Sequence, residues 1–438
     1  MVDFWNGTTQ VNDTDARTYT VPNPNPLVPD ITITEDDQAR SKIIELSNGN
    51  VLIAWESNVN TGAGSPDSID FIGKIYDTLG NEVKSEFRLN SGRNADNEGD
   101  FELAALDDGG FLVVYEDKED DSGSSNFDQV SLILNQFDSN YNSVNELEWR
   151  SHSGVGYNGG GNFGGSLFGG DTEVARRNPN VTVNDDGVAL LTYEYRDGPD
   201  NHDVFAAIYN PTTQEVVKNV LGQIQTFQIF DGGNGGNNDG IMNHSVTALS
   251  NGDFAFAVSE RDNFGEDDLH ISVHKVDASG TSLSQVSSSV HFSLADFSAN
   301  QAHIDALEGS SGGFAVVWTI DGASKTNEGL RVALFNNDGT VRKSTFNPLQ
   351  NTAGDQNEGV IATTKDGGFL VFWDNDETND LVMRKFDANG DSEGDEVVVA
   401  NYNNFLGYQL DADSLDDGRV QLSWTREDTN GDKDILTR

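Results

Sequence analysis

A seven-fold recurrence constrains this chain more than any other feature. Gly49, Gly109, Gly187, Gly252, Gly312, Gly367 and Gly418 each precede a short apolar run. Six residues after them stand, in order, Trp55, Tyr115, Tyr193, Val258, Trp318, Trp373 and Trp424. Six aromatic residues at one offset in seven copies mark a structural repeat, and the repeat is the unit that must fold. Positions two, four and six after the glycine share one face of a strand, as in Phe111, Val113, Tyr115 and Phe369, Val371, Trp373. The intervening positions, such as Leu112 and Val114, are also apolar. A strand apolar on both faces must be covered on both faces, which stacked sheets achieve.

Each unit holds more than this strand, here called b. An apolar stretch before the glycine, such as Ile43–Leu46 or Phe101–Leu106, predicts a strand a joined to b by a tight turn. A third strand, c, ends at an Asx turn, as at Tyr76-Asp77, Phe137-Asp138 and Phe386-Asp387. Gly80, Gly280, Gly339 and Gly390 stand three residues after the Asx, where a turn needs positive φ. A fourth strand, d, follows, as in Glu82–Leu89. Four strands per unit, with anchors 51 to 78 residues apart, predict an all-β fold, a single seven-bladed β-propeller of four-stranded blades over 1–438. The sequence stops within strand c of the seventh unit, and Asp3–Asn12 resembles a strand d without a blade. The ring is therefore expected to close by N- and C-terminal strands sharing one blade, which removes two open edges. The stretch 14–30, with Pro22, Pro24, Pro26 and Pro29, is expected to be a loop or linker.

Composition excludes several classes of function. The chain has 73 acidic and 26 basic residues, a net charge of −47. That field has the wrong sign for nucleic acid or anionic lipid. The absence of Cys removes disulfides, thiolate metal sites and Cys nucleophiles. No apolar run reaches the roughly 18 residues of a membrane-spanning helix, so membrane insertion is not expected. The acidic, lysine-poor composition is that of proteins that stay soluble in salt. It points to a marine or halophilic source and a secreted, monomeric domain.

The repeat as it stands reads D-G-G-F-L-V-V-Y-E, D-G-G-F-L-V-F-W-D and F-D-A-N-G-D. It resembles the repeat of large secreted bacterial proteins that also carry RTX (haemolysin-type) calcium-binding tracts. The resemblance spans nearly the whole chain. It implies secretion, calcium and a surface or extracellular role, and no single reaction. The RTX nonapeptide array itself is absent, and its nearest fragment is G-G-N-G-G-N-N-D at 232–239.

In a propeller the b–c and d–a connections emerge on one face, and the long insertions 153–170 and 231–243 both fall there. Binding sites are commonly built on such loops. The b–c loops are acid-rich. Asp117 and Asp128 in the second unit, Asp262 and Asp268 in the fourth, and Asp374, Asp376 and Asp380 in the sixth are candidate Ca²⁺ ligands. So are Asp428, Asn430, Asp432 and Asp434 in the seventh, which alternate as a calcium turn requires. The competing reading is structural. An Asp stands before strand c in six units (Asp70, Asp128, Asp203, Asp268, Asp380, Asp434), where it would accept hydrogen bonds and shape the loop.

The seven histidines form no H-E-x-x-H spacing. His270 and His274 share a strand face and are expected to be exposed. His244 and His303 precede strand a in adjacent units and are expected near the mouth of the central channel. With Arg176, Arg177, Tyr157 and Tyr408 they are the candidate catalytic groups, since His or Tyr can move a proton and Arg can neutralise a uronate. Three functions stay open. The first is an extracellular calcium-binding module that presents a loop-rich face to a glycan or an extracellular protein, in adhesion or surface assembly. The second is a polysaccharide lyase or Ca²⁺-dependent hydrolase at the channel mouth. The third is a structural spacer in a longer secreted protein.

Overall fold

The computed structural model describes residues 9–10, 18–21, 31–59, 68–90, 97–119, 129–149, 175–196, 202–232, 240–261, 267–286, 288–292, 298–309, 312–321, 329–352, 354–401, 406–427 and 433–438. Among them every regular element is a β-strand. They form seven four-stranded antiparallel blades arranged as a seven-bladed propeller. The a strands of successive blades contact one another, so strand a is innermost and lines the channel. They are Ile31–Glu45, Asn97–Ala105, Ala175–Val183, Gly240–Ala248, Ser298–Ala306, Gln356–Thr363 and Leu406–Ser414.

The anchor glycine sits where the a–b hairpin needs a left-handed residue. In blade 1 Gly49 N–H donates to Leu46 O at 2.7 Å and Leu46 N–H donates to Asn50 O at 2.7 Å. All seven anchors have φ between +50° and +87°, conformations that cost little only for glycine. The hairpin then feeds strand b, which is buried on both sides. Trp373 packs with Val317 and Leu334 of blade 5, while Leu370 and Phe372, on the other face, pack with Leu410 and Leu422 of blade 7. All seven residues six places after the anchors are at most 2% exposed. The aromatic offset is thus the inter-blade core, repeated around the ring.

Ring closure follows the expected route. Thr9 and Gln10 pair with Thr437 and Leu436, as the fourth strand of blade 7. The expectation of a linker over 14–30 is corrected in part. Thr18–Val21 is a strand that pairs with Ile31–Thr34, the start of the first strand a. The four prolines between them lie outside the described residues.

Candidate functional site

Strand a is the inner edge of each blade, so its channel-facing backbone groups have no ladder partner of their own. Every copy carries a register break at the same height. The breaks lie between Ala39 and Lys42, Glu98 and Phe101, Arg177 and Asn180, Ile241 and Asn243, Asn300 and His303, Asn357 and Val360, and Tyr408 and Asp411. Five non-glycine residues there are left-handed: Arg40, Asn178, Gln301, Glu358 and Gln409, with φ between 48° and 58°. Such residues are uncommon and cost on the order of 1 kcal/mol or more each. A bulge re-aims the local side chain, and here the bulges ring the channel mouth.

Side chains of one blade satisfy the inner edge of the next. Gln409 Oε1 accepts from Arg40 N–H at 2.9 Å, and Glu358 accepts from the Gln409 and Leu410 amides. Deeper in the channel, Asp411 accepts from Ile43 N–H at 2.7 Å and Asp413 from Glu45 N–H at 2.6 Å. Asp305 accepts from Thr363 N–H at 3.0 Å and His303 Nδ1 from Ile361 N–H at 3.3 Å. The ring is therefore held by polar stitches inside and apolar packing outside.

Above these stitches opens a cavity of about 390 Å³ on the face of the b–c and d–a connections. All seven a strands line it. Its polar lining holds five amide side chains, Asn178, Asn180, Asn243, Gln301 and Gln409, with Asp100, Glu102 and Glu358. Among the described residues its Arg and Lys side chains are already matched. Arg40 pairs with Glu56 at 3.2 Å and with Asp100, and Lys42 Nζ lies 2.7 Å from Glu102. Although burial opposes its charge, Glu102 and Asp411 raise the Lys42 pKa above the ordinary lysine value, so it stays protonated. Burial pushes the Asp413 carboxyl up to about 8, with Asp305 and Asp411 adding repulsion. Asp305 is raised to about 7 and Asp411 to about 6, again mainly by burial.

Of the proposed catalytic groups, His244 and His303 do line this cavity. Burial lowers both to about 4, with Lys42 adding to the effect at His303, so both are neutral at pH 7. Because His303 Nδ1 accepts a backbone N–H, its proton sits on Nε2. It is equipped to donate a hydrogen bond rather than to abstract a proton. His244 is buried and its Nε2 lies 2.9 Å from Thr192 Oγ1 of blade 3. Arg177 is half-buried and does not line the cavity. Tyr408 lies in strand a of blade 7, but its side chain, that of Arg176, and all of Tyr157 fall outside the described residues. His270 and His274, expected on the surface, are not exposed. His274 is 6% exposed, and His270 packs on Phe230 of blade 3. Both lie on blade faces that neighbouring structure covers.

Of the proposed calcium ligands, about half are described. Asp128, Asp262, Asp428, Asn430 and Asp432 lie outside the described residues. Asp117 and Asp374 are buried near the ends of their b strands. The Asp at the start of strand c has a protein partner wherever it is described. Asp70 pairs with Arg88 and Asn90, and Asp203 accepts from Gly232 N–H at 3.2 Å. Asp268 lies 2.7 Å from His291 Nε2, Asp380 accepts from Asn401 at 2.5 Å, and Asp434 pairs with Arg426 at 2.5 Å. Arg88, His291 and Asn401 belong to strand d, Asn90 and Gly232 lie just beyond it, and Arg426 belongs to strand b, so in four blades this Asp ties the outer strand or its end to the blade. Asp376 is exposed and accepts from Asn357 at 3.0 Å.

The bulge ring was not anticipated from the sequence, although a simple count finds most of it. Nine residues before the anchor glycine stand Arg40, Asp100, Asn178, Asn243, Glu358 and Gln409. In blade 5 the a–b turn is two residues longer and the equivalent is Gln301.

No protein-family model and no curated protein matches the sequence. Solved structures do resemble the fold. The polysaccharide lyase Uly1 aligns over 98% of this chain and 98% of its own, with a TM-score of 0.53 at 11% identity. An α-L-arabinanase from Penicillium chrysogenum, complexed with arabinobiose, aligns over 96% of each chain with a TM-score of 0.48 at 12% identity. Trypanosoma rangeli sialidase covers 99% of this chain, which spans 59% of the sialidase, with a TM-score of 0.48 at 12% identity. At this identity the likeness to Uly1 is a likeness of fold.

Proposed function

We propose that this propeller is an extracellular glycan-binding module, and that it binds a neutral saccharide at the mouth of its channel. The observation that carries the reading is the lining of the cavity. Five amides line a space of about 390 Å³ in which Arg40 and Lys42 are already paired; Asn178, Asn180 and Gln409 each give one end to a protein partner, whereas Asn243 Oδ1 is buried without one and Gln301 is exposed. Amides suit hydroxyl groups, and the volume lies in the range of small-ligand sites. An acidic sugar would need a cation free to meet its carboxylate, and Arg40 and Lys42 are both engaged. The neutral histidines fit the same picture, His303 offering Nε2–H as a donor. This favours binding over the lyase reading, which asks for a base and an unpaired Arg.

The test is calorimetric titration with neutral and uronic-acid oligosaccharides, comparing wild type with Gln301→Ala. Gln301 is exposed at the cavity, so its truncation leaves the inter-blade stitches intact. The expected result is saturable binding of a neutral glycan, weakened about tenfold by the substitution, with unchanged melting. Preference for uronic oligosaccharides, or release of an unsaturated product from them, would move the reading to the lyase.

A further inference from the structure

Blade 4 carries a second cluster, away from the channel. Its strands b, c and d are Phe254–Arg261, Asp267–Val276 and the split pair Leu283–Gln285 and Val290–Phe292. Register places Glu260 opposite Asp268, Val258 opposite His270, and His270 opposite His291. Residues two apart on a strand share a face, so Glu260, Asp268, His270 and His291 all point the way Val258 does, toward blade 3. Val258 packs there against Val204, and His270 against Phe230.

These four side chains are unusually close. His291 Nε2 lies 2.7 Å from Asp268 Oδ2, and His270 Nε2 lies 3.1 Å from Glu260 Oε2. The two imidazoles stack with centroids 4.5 Å apart. One ligand atom from each of Asp268, His270 and His291 falls within 4.8 Å of the others. Two of the atoms are orphans. Asp268 Oδ1 and His270 Nε2 are both buried and neither makes a hydrogen bond, although the Glu260 carboxylate lies close to the latter. A buried polar atom without a partner calls for an ion or a water.

We propose that Asp268, His270 and His291 bind one divalent transition-metal ion, of the zinc or cobalt type, with Glu260 at hand as a fourth ligand. Two imidazoles with one or two carboxylates form a borderline donor set that suits Zn²⁺ and Co²⁺. Ca²⁺ would require oxygen ligands throughout. An ion held 2.0 to 2.2 Å from each donor, as zinc distances require, needs only side-chain shifts, because the donors already converge. Its effect would be local. Strand d of blade 4 is broken into two three-residue pieces, and a metal shared by strands c and d would fasten the outer piece to the blade.

The experiment titrates the chelator-stripped full chain with Zn²⁺, and with Co²⁺ as a spectroscopic probe. The comparison is with His270→Gln and His291→Gln. The expected result is one tight equivalent per chain, a rise in melting temperature, and a low-symmetry Co²⁺ absorption band. Each substitution should weaken binding about 100-fold while the metal-free variants melt as the metal-free wild type does. Binding that both variants retain would assign the metal to the acidic surface and overturn the proposal. Absence of a saturable equivalent would do the same. A variant that melts early without metal is replaced by Asp268→Asn, read by the Co²⁺ band alone.

Discussion

Asp413 gives the sharpest test of the channel's inner ring. Its carboxylate accepts the Glu45 amide at 2.6 Å and the Ser414 amide at 2.9 Å, yet burial and the neighbouring Asp305 and Asp411 push its pKa up to about 8. In the unfolded chain an Asp titrates at about 3.9. Between these values the folded state holds more protons than the unfolded state. This contribution to stability is therefore complete below about pH 4 and is lost as pH rises toward 8. Each unit of the window is worth about 1.4 kcal/mol, or roughly 6 kcal/mol in all. The effective dielectric around buried groups in proteins exceeds that of a dry interior, which reduces this to about 2 to 3 kcal/mol. His244 and His303, lowered to about 4, act with the opposite sign between about 4 and 6.5, so the raw pH profile mixes the two. Asp413→Asn separates them, since Asn cannot ionise but keeps an acceptor for Glu45 N–H. Urea unfolding of both proteins from pH 4 to pH 9 is the assay. The variant is expected to gain on wild type steadily with pH, by about 2 to 3 kcal/mol at pH 8 to 9. A difference that stays flat across the range would refute the assignment of a protonated carboxyl to the ring.

Three further outcomes are expected. Trp373→Ala should cost about 3 to 5 kcal/mol in chemical denaturation, since the indole fills the space between blades 5 and 6. His303→Leu leaves Ile361 N–H without an acceptor and should cost about 1 to 3 kcal/mol, whereas His303→Gln should restore much of it. If the acidic b–c loops hold calcium, a calcium-selective chelator should lower the melting temperature by a few degrees, and equal melting with and without it would rule out calcium as a stabilising ligand of those loops.

The propeller was legible because its signal is local and repeated. A glycine and an aromatic six residues later lie on one hairpin, and both are fixed by backbone geometry and burial within the same few residues. The sites were harder to read because each depends on register between strands. His270 and His291 are twenty-one residues apart, and only the pairing of strand c with the second piece of a broken strand d sets them side by side. The expectation of an exposed His270 rested on one strand read alone. The Asp before strand c was legible as a recurrence. Its described partners, however, lie in or just beyond the outer strand, or in strand b for Asp434, and no spacing within its own loop announces them.

The bulge ring shows why regular backbone and irregular side chains belong together at this site. Seven inner strands break register at one height, and the residues they turn toward the cavity are Arg40, Asp100, Asn178, Asn243, Gln301, Glu358 and Gln409. A purely structural ring would be free to repeat one residue, as the anchor repeats glycine and the blade core repeats an aromatic. Here the backbone repeats and the chemistry does not. Charges of both signs and four amides stand at different points of one circle. A ring of identical groups presents the same face in seven directions and cannot orient what it binds. A ring of unlike groups on like backbones holds a ligand in one pose, and the left-handed strain carried at five of its positions is consistent with side-chain direction being what these bulges maintain.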